Sequence, residues 1–354
     1  MKKILLAALL GSVLPVASHA QSSVTLYGAI GGGVRWANGL KGGSTVGFNN
    51  NVIAVNAFGI TGKEDLGGGV QAIFKLENAF NSGTGALKKD GAVFSQAAFV
   101  GLTGRFGRLT FGRQLNASEN FSILVDPNLG RGQTLAIEPG VVWAANYFTL
   151  DSRFNNTIKY LVQAGGFRFG ASYSPGGVAG ENRAGTNFSG AAMYQWGVAF
   201  GGLSYQKTWN ATGTQWAQTF GSGGSLQAGP VRLYLSYSDL EVSAANAAAP
   251  NRRDHIPGGG IVWTPTASAF QLTAAVYQDI ASHLHNAQSA SGHKFTTYAI
   301  AEYFLSKSTE VYAEADYNGL SGAYRFDPTN LAAMGLASGT RSTTGVSLGL
   351  MTRF

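Results

Sequence analysis

Few residues in this chain have the types and spacing for chemistry. His283, His285 and His293 fall within one short polar stretch, and an H-x-H pair can hold a transition metal. A third ligand at fixed spacing is missing and the chain has no cysteine, so solvated histidines are expected there, with no metal and no other cofactor. A hydrolase would need a histidine, a nucleophilic serine and an orienting polar group together, and no strand-like segment presents His beside Ser on one clean face. The glycine runs "GAIGGGV" (28 to 34) and "GGFRFG" (165 to 170) suggest a phosphate loop, but phosphate cradling needs a helix N-terminus behind the glycines, and none follows. Those glycines are expected on the packed exterior of a sheet or at a subunit contact.

What remains is charge set in a period of two. In "GVQAIFKLENAF" (69 to 80), Val70, Ala72, Phe74, Leu76 and Phe80 share one parity, while Gln71, Lys75 and Glu77 take the other. The pattern recurs in "VRLYLSYS", where Val231, Leu233 and Leu235 oppose Arg232. It recurs again in "FRFGASYS", where Phe167 and Phe169 oppose Arg168. In "TEVYAEADY", Val311, Ala313 and Ala315 oppose Glu310 and Glu314. In a soluble sandwich the apolar face would meet a second sheet. In a membrane barrel it would meet lipid, with the charges lining a channel.

The elements around these strands favour the barrel. Lys2 and Lys3, an apolar run from Ile4 to about Val16 and then "ASHA" read as a secretory leader over residues 1 to 20, cleaved near Ala20. The run is well short of the roughly 20 apolar residues that a spanning helix needs. No later stretch is long and apolar enough either, and an exported chain without disulfides needs another restraint, which a closed hydrogen-bonded barrel supplies. The 25 basic and 18 acidic side chains give a net charge of +7, falling to +5 when Lys2 and Lys3 leave with the leader. That excess is mild and unclustered, so nucleic acid is not an expected partner.

Very short connections at 65–69, 104–107, 164–166, 228–230, 264–268 and 306–309 alternate with long polar ones at 37–51, 82–91, 175–187, 240–254, 279–293 and 318–340. This rhythm predicts an all-β, up-and-down antiparallel transmembrane barrel of about sixteen strands over residues 21–354. Segments 197–207 and 216–228 alternate poorly. The final "GVSLGLMTRF" sets Val346, Leu348, Leu350 and Phe354 on one face, as an aromatic girdle requires. One connection, 115–155, is far longer than the rest and carries Phe121, Ile123, Leu124, Val141, Val142 and Trp143. It is too apolar for a loose tail, so it is expected to fold into the lumen and narrow it. Its charges are Glu119, Asp126, Arg131 and Glu138.

"SSVTLYG" (22–28), "EDLGGGVQAIFKLENAFNSGTG" (64–85), "AFVGLTGRFGRLTFGRQ" (98–114), "RFNNTIKY" (153–160) and "YFLSKSTEVYAEADY" (303–317) run in order from end to end. With them the chain resembles the general porins of Gram-negative outer membranes, in the branch of Burkholderia, Bordetella, Comamonas and Neisseria relatives. The resemblance implies a homotrimer in the lipid and lipopolysaccharide of the outer membrane, with a third loop facing a cluster of arginines across the pore. It also implies passive passage of ions and small hydrophilic solutes. Position by position, Ala57 and Gln96 stand where two of those arginines are implied, and Arg113 and Arg153 retain the other two. A weakly selective channel is therefore expected, with a solute-specific channel for one anion or neutral class as the alternative and an adhesin or structural barrel as a third. Arg35, Lys75, Glu77, Lys159, Arg168, Arg232, Glu310 and Glu314 are expected to line the pore. Arg113 shares parity with Leu109 and Phe111, so a bulge or strand end must turn it inward.

Overall fold

The two-residue period becomes seventeen strand segments in the computed structural model, which describes residues 22–132 and 145–354. The expected leader, Ala20 included, lies outside the described residues, as do Glu138, Val141, Val142 and Trp143. β1 (Ser23–Leu40) turns at Lys41 and Gly42 into β2 (Gly43–Asn49), and β3 (Ala57–Gly67) follows after a break. β4 (Val70–Ala79), β5 (Ala97–Gly104) and β6 (Gly107–Leu115) lead into helix α1 (Ala117–Val125). Then come β7 (Arg153–Ala164), β8 (Phe167–Ser174), β9 (Asn187–Trp196), β10 (Ala199–Trp209), β11 (Trp216–Ala228) and β12 (Val231–Val242). β13 (Arg252–Trp263), β14 (Phe270–Ser282), β15 (Gly292–Phe304), β16 (Thr309–Gly322), a short helix α2 (Pro328–Met334) and β17 (Ser342–Arg353) complete the order.

From β3 to β17 each strand pairs antiparallel with the next, and β17 closes on β1 from Ala29↔Arg353 to Ala37↔Gly345. The backbones of Gly28 and Phe354 exchange two hydrogen bonds, of 2.9 and 3.0 Å. On its other side, the first part of β1 pairs with β3 and the later part with β2. β2 and β3 are thus two pieces of one stave, and seventeen segments fill sixteen barrel positions. The long connection expected at 37–51 is corrected: β1 and β2 form a hairpin through that span, and the interruption comes at 50–56. Asn38, Lys41, Ser44 and Asn49 look like loop residues, but Val34 and Trp36 of β1 and Val46 and Phe48 of β2 pair on one exposed apolar face.

Alternation sorts the two faces as the sequence suggests. Leu233, Leu235, Leu348 and Leu350 are exposed on the outer wall, whereas Glu310, Glu314, Thr296 and Ser347 on the inner wall are buried. The poorly patterned 197–207 and 216–228 are full strands, β10 and β11, whose inner faces are occupied by another part of the chain. The glycine runs are only partly outward. Gly28 and Gly32 lie under the rings of Phe354 and Phe48, but Gly31 and Gly170 face inward against Asn51 and Ala117.

Face assignment is directly testable because the chain has no cysteine. Lys75→Cys and Arg232→Cys should react with a small water-soluble thiol reagent in reconstituted membranes, and Phe74→Cys and Leu233→Cys should not. Equal labelling of both pairs would reverse the inward and outward faces.

Candidate channel constriction

The long connection enters the barrel as α1. Asn116 caps the helix, its Oδ1 accepting from the Glu119 amide (2.8 Å), and Asp126–Pro127 ends it. Phe121 and Val125, spaced by four, pack on the inner-face residues Ala191 and Met193 of β9. The helix lies along the inner faces of β8 to β12. Polar residues of that wall hold its first turn. The Ala117 amide donates to Ser172 Oγ (3.1 Å) and Ser189 Oγ (3.0 Å), Ser118 Oγ donates to Ser204 Oγ (3.0 Å), and Asn116 Nδ2 donates to Gln206 Oε1 (2.6 Å). The wall also makes room: a Cβ on Gly223 would come 3.2 Å from Val125, and one on Gly260 would come 2.6 Å from Pro127. Glycine in a strand marks such close approach, and it erases the alternation a reader of the sequence looks for.

Past α1, Asp126 accepts a hydrogen bond from the Tyr277 hydroxyl of β14. Arg131 is bound to Asn128 and faces Glu302 of β15 at 3.6 Å. Lys159, expected to line the pore, stands on the inner face of β7 and donates to Leu115 O (2.8 Å) and Asn120 Oδ1 (2.9 Å), anchoring the loop where it leaves β6.

The expected cluster is divided. Arg153 lies close enough to Glu119 for its charge to act on that carboxyl. Arg113 gives its guanidinium to Asp151 (2.7 Å), Asn155 (2.7 Å) and Ser95 O (2.8 Å). The irregularity sought beside it is present between Gly112 and Gln114, but the additional residue is on β7, and Arg113 stays opposite Ala98 on the parity of Phe111. Ala57 begins β3 opposite Ala79, and Gln96 is nearly buried ahead of β5. Of the other expected lining residues, Lys75 pairs with Glu77 (2.9 Å), which also accepts from the Tyr27 hydroxyl (2.6 Å). Arg35 pairs with Glu314 (3.0 Å) and Asp316 (2.6 Å), and Glu310 pairs with Arg353 (2.8 Å). Arg232 bonds Gln227 (2.8 Å), and Arg168 stands on the inner face of β8 near a short turn. A recess of about 400 Å³ opens along the inner wall, its lining combining Thr25, Thr61, Lys63, Lys75, Thr103 and Arg108 with the apolar Ile73, Phe74 and Phe99.

Sequence reasoning missed Asp151, the acid that engages both Arg113 and Lys89 (2.6 Å), because nothing local distinguishes it. It also missed the outer-mouth clamp in which Arg252 grips Asp254 (2.7 Å) and the Tyr324 hydroxyl donates to Asp279 (2.6 Å). Burial alone would raise Asp151, but Lys89 and Arg113 hold it below the usual carboxylate range. Glu119 goes the other way: burial pushes it up to about 8, Arg153 opposing and Asp126 adding to the rise.

A family model for the Gram-negative porins matches residues 6–323. The chain belongs to that family. It is 37% identical over 191 residues to an outer membrane porin protein of Bordetella pertussis, covering 49% of this chain and 48% of that one. It is 33% identical over 164 residues to outer membrane porin protein 32 of Delftia acidovorans, covering 45% of each. The porin chain thus spans about half the length of the curated relatives it matches. Among solved structures, the anion-selective porin from Comamonas acidovorans superposes with a TM-score of 0.79 at 23% identity, over 94% of this chain and 100% of that one. The trimer form of OmpT from Vibrio cholerae superposes with a TM-score of 0.69 at 15% identity, over 94% and 99%. These establish the sixteen-position porin barrel, and the family places the chain in the outer membrane of a Gram-negative cell. Porins are channels rather than enzymes.

The raised carboxyl of Glu119 gives a pH signature. Below about pH 8 it is neutral, and above that value it adds one negative charge beside Arg153. In planar bilayers the reversal potential in a salt gradient should therefore move away from chloride between pH 7 and pH 9. Glu119→Gln should abolish most of that movement; a full response in Glu119→Gln would assign it to another group.

Proposed function

We propose that this porin is a passive diffusion channel for ions and small hydrophilic solutes, weakly selective, assembled as a homotrimer among lipid and lipopolysaccharide. The observation that carries the reading is a polar inner wall with an open recess beside a loop folded against the opposite inner wall. Residues 1–20 act as the export leader, removed near Ala20, and 115–155 serves as the constriction loop. The trimer reading is supported by the trimeric form of the OmpT fold relative and by the broad apolar outer wall.

Weak selectivity rests on the charges at the loop. Ala57 and Gln96 carry none, Arg113 acts through Asp151, Arg131 is answered by Glu302, and Arg153 stands beside Glu119, which opposes it only above about pH 8. Charges on the outer loops are screened over a Debye length of about 8 Å, so the ring around the loop decides the ion preference. In the recess Lys75 is paired with Glu77, so Lys63 and Arg108 leave a modest bias toward anions, below that of a porin that keeps all four arginines. Its threonine hydroxyls favour the second reading, a channel that binds one class of anionic solute. Conductance that saturates with an added organic anion would establish that reading, and no conductance at all would favour the structural barrel.

Ala57→Arg plus Gln96→Arg should shift the reversal potential toward chloride and lower permeation of neutral sugars. A strongly chloride-selective unmodified channel would show that the recess, not the missing arginines, sets selectivity.

A further inference from the structure

The break between β2 and β3 turns into the barrel. Val52, Ile53 and Ala54 are buried against Ala275, Tyr277, Tyr298, Ile300, Tyr312 and Met351, all on the inner faces of β14 to β17. Like the cluster of Phe121, Val125, Ala191 and Met193 under α1, this one marks a stretch of interior wall covered by an inserted segment rather than by water. The bend sits in a built seat. Asn56 takes the place of the missing strand beside β1, its Oδ1 accepting from the Gly31 amide (2.8 Å) and its Nδ2 donating to Gly31 O (3.0 Å). Asn49 braces both ends, Nδ2 donating to the Tyr312 hydroxyl (2.9 Å) and Oδ1 accepting from the Val52 amide (2.9 Å). Asn51 adopts a left-handed conformation (φ 62°), and its side chain fills the space over Gly31, where a Cβ would come within 2.7 Å.

The bend also meets the loop that follows α1, for Asn128 Nδ2 donates to Ile53 O (3.3 Å). Taken around the barrel, α1 covers β8 to β12, the segment from Asp126 to Arg131 covers β13 to β15, and the bend covers β14 to β17. Among the described residues, the inner faces of β3 to β6 lie outside these contacts, and there the recess with Lys63, Lys75 and Arg108 opens.

We propose that residues 50–56 are a second constriction element, meeting the α1 loop at Ile53 and Asn128 and confining solutes to the basic wall of β3 to β6. Pore size is then set by two inward segments, and solute preference by the one arc they leave uncovered. This rests on the channel reading above, and the test separates the two. Val52→Gly plus Ile53→Gly, recorded in planar bilayers, should raise single-channel conductance on the order of 1.5-fold, since the narrowest ring governs the current. It should also admit larger polyethylene glycols and weaken anion preference as solutes gain a path away from the basic wall. Ile53→Ala, which leaves every asparagine of the seat in place, should act in the same direction by a smaller amount and serves if the double variant does not insert. Unchanged conductance and polymer cut-off in an inserted variant would overturn the inference while leaving the channel intact. Absence of current from the unmodified protein would overturn the channel reading itself.

Discussion

Hydrocarbon offers no partner to a backbone amide, so every N–H and C=O of a spanning strand must be answered by a neighbouring strand. The rest of this structure follows from meeting that condition without an edge. β1 does it by being shared, holding β17 on one side and both β2 and β3 on the other. Once the sheet closes, one parity of every strand is committed to lipid and the other to the interior. At the break of residues 50–56, the condition is met by a side chain: the Asn56 amide presents to Gly31 the donor and acceptor that a strand would have presented.

Closure creates an interior wider than wall side chains can fill, and the chain spends its inward residues accordingly. Some inward charges pair across strands, as Arg35 of β1 does with Glu314 and Asp316 of β16. Where a segment lies on the wall, the inward positions become serine, glutamine or glycine, as in β8 to β11, and their hydroxyls and amides hold the segment instead of water. The two kinds of wall divide the lumen by chemistry as well as by shape. Tyr277 shows how closely they are joined, binding Asp126 of the loop while packing in the cluster under Ile53.

The barrel was legible because a period of two survives in any strand with lipid on one side, and Val70 to Glu77 or Val231 to Ser238 display it plainly. The short turns were legible from their glycines. Contacts made by inserted segments were not. Lys159 reads as one more inward charge, and only the folded loop reveals that Leu115 O and Asn120 claim it. Gly223 and Gly260 read as weak strand positions until Val125 and Pro127 appear above them. Val52 and Ile53 sit in an asparagine-rich stretch that looks like an outer loop, and their inward turn depends on aromatic residues more than two hundred positions away. Arg113 marks the limit of parity: the irregularity expected beside it exists, yet on the partner strand, and Asp151 takes up its charge.

The shared strand also sets an order of events. Apart from β1 with β3, which skips only β2, every strand pairing joins neighbours along the chain, while the seam between β1 and β17 joins residues 312 positions apart, as Arg35 and Ser347 are. Loop-closure entropy grows with the logarithm of chain length, so the seam costs about 3 kcal/mol more than a short hairpin. Hairpins can accumulate into a curled open sheet at little entropic cost, and the seam comes last. Until it does, both terminal strands stay open as templates for foreign pairing. The ion pairs of Arg35 reach from β1 across that seam to Glu314 and Asp316 of β16, where they reward closure in the correct register and leave buried carboxylates unanswered in a slipped one.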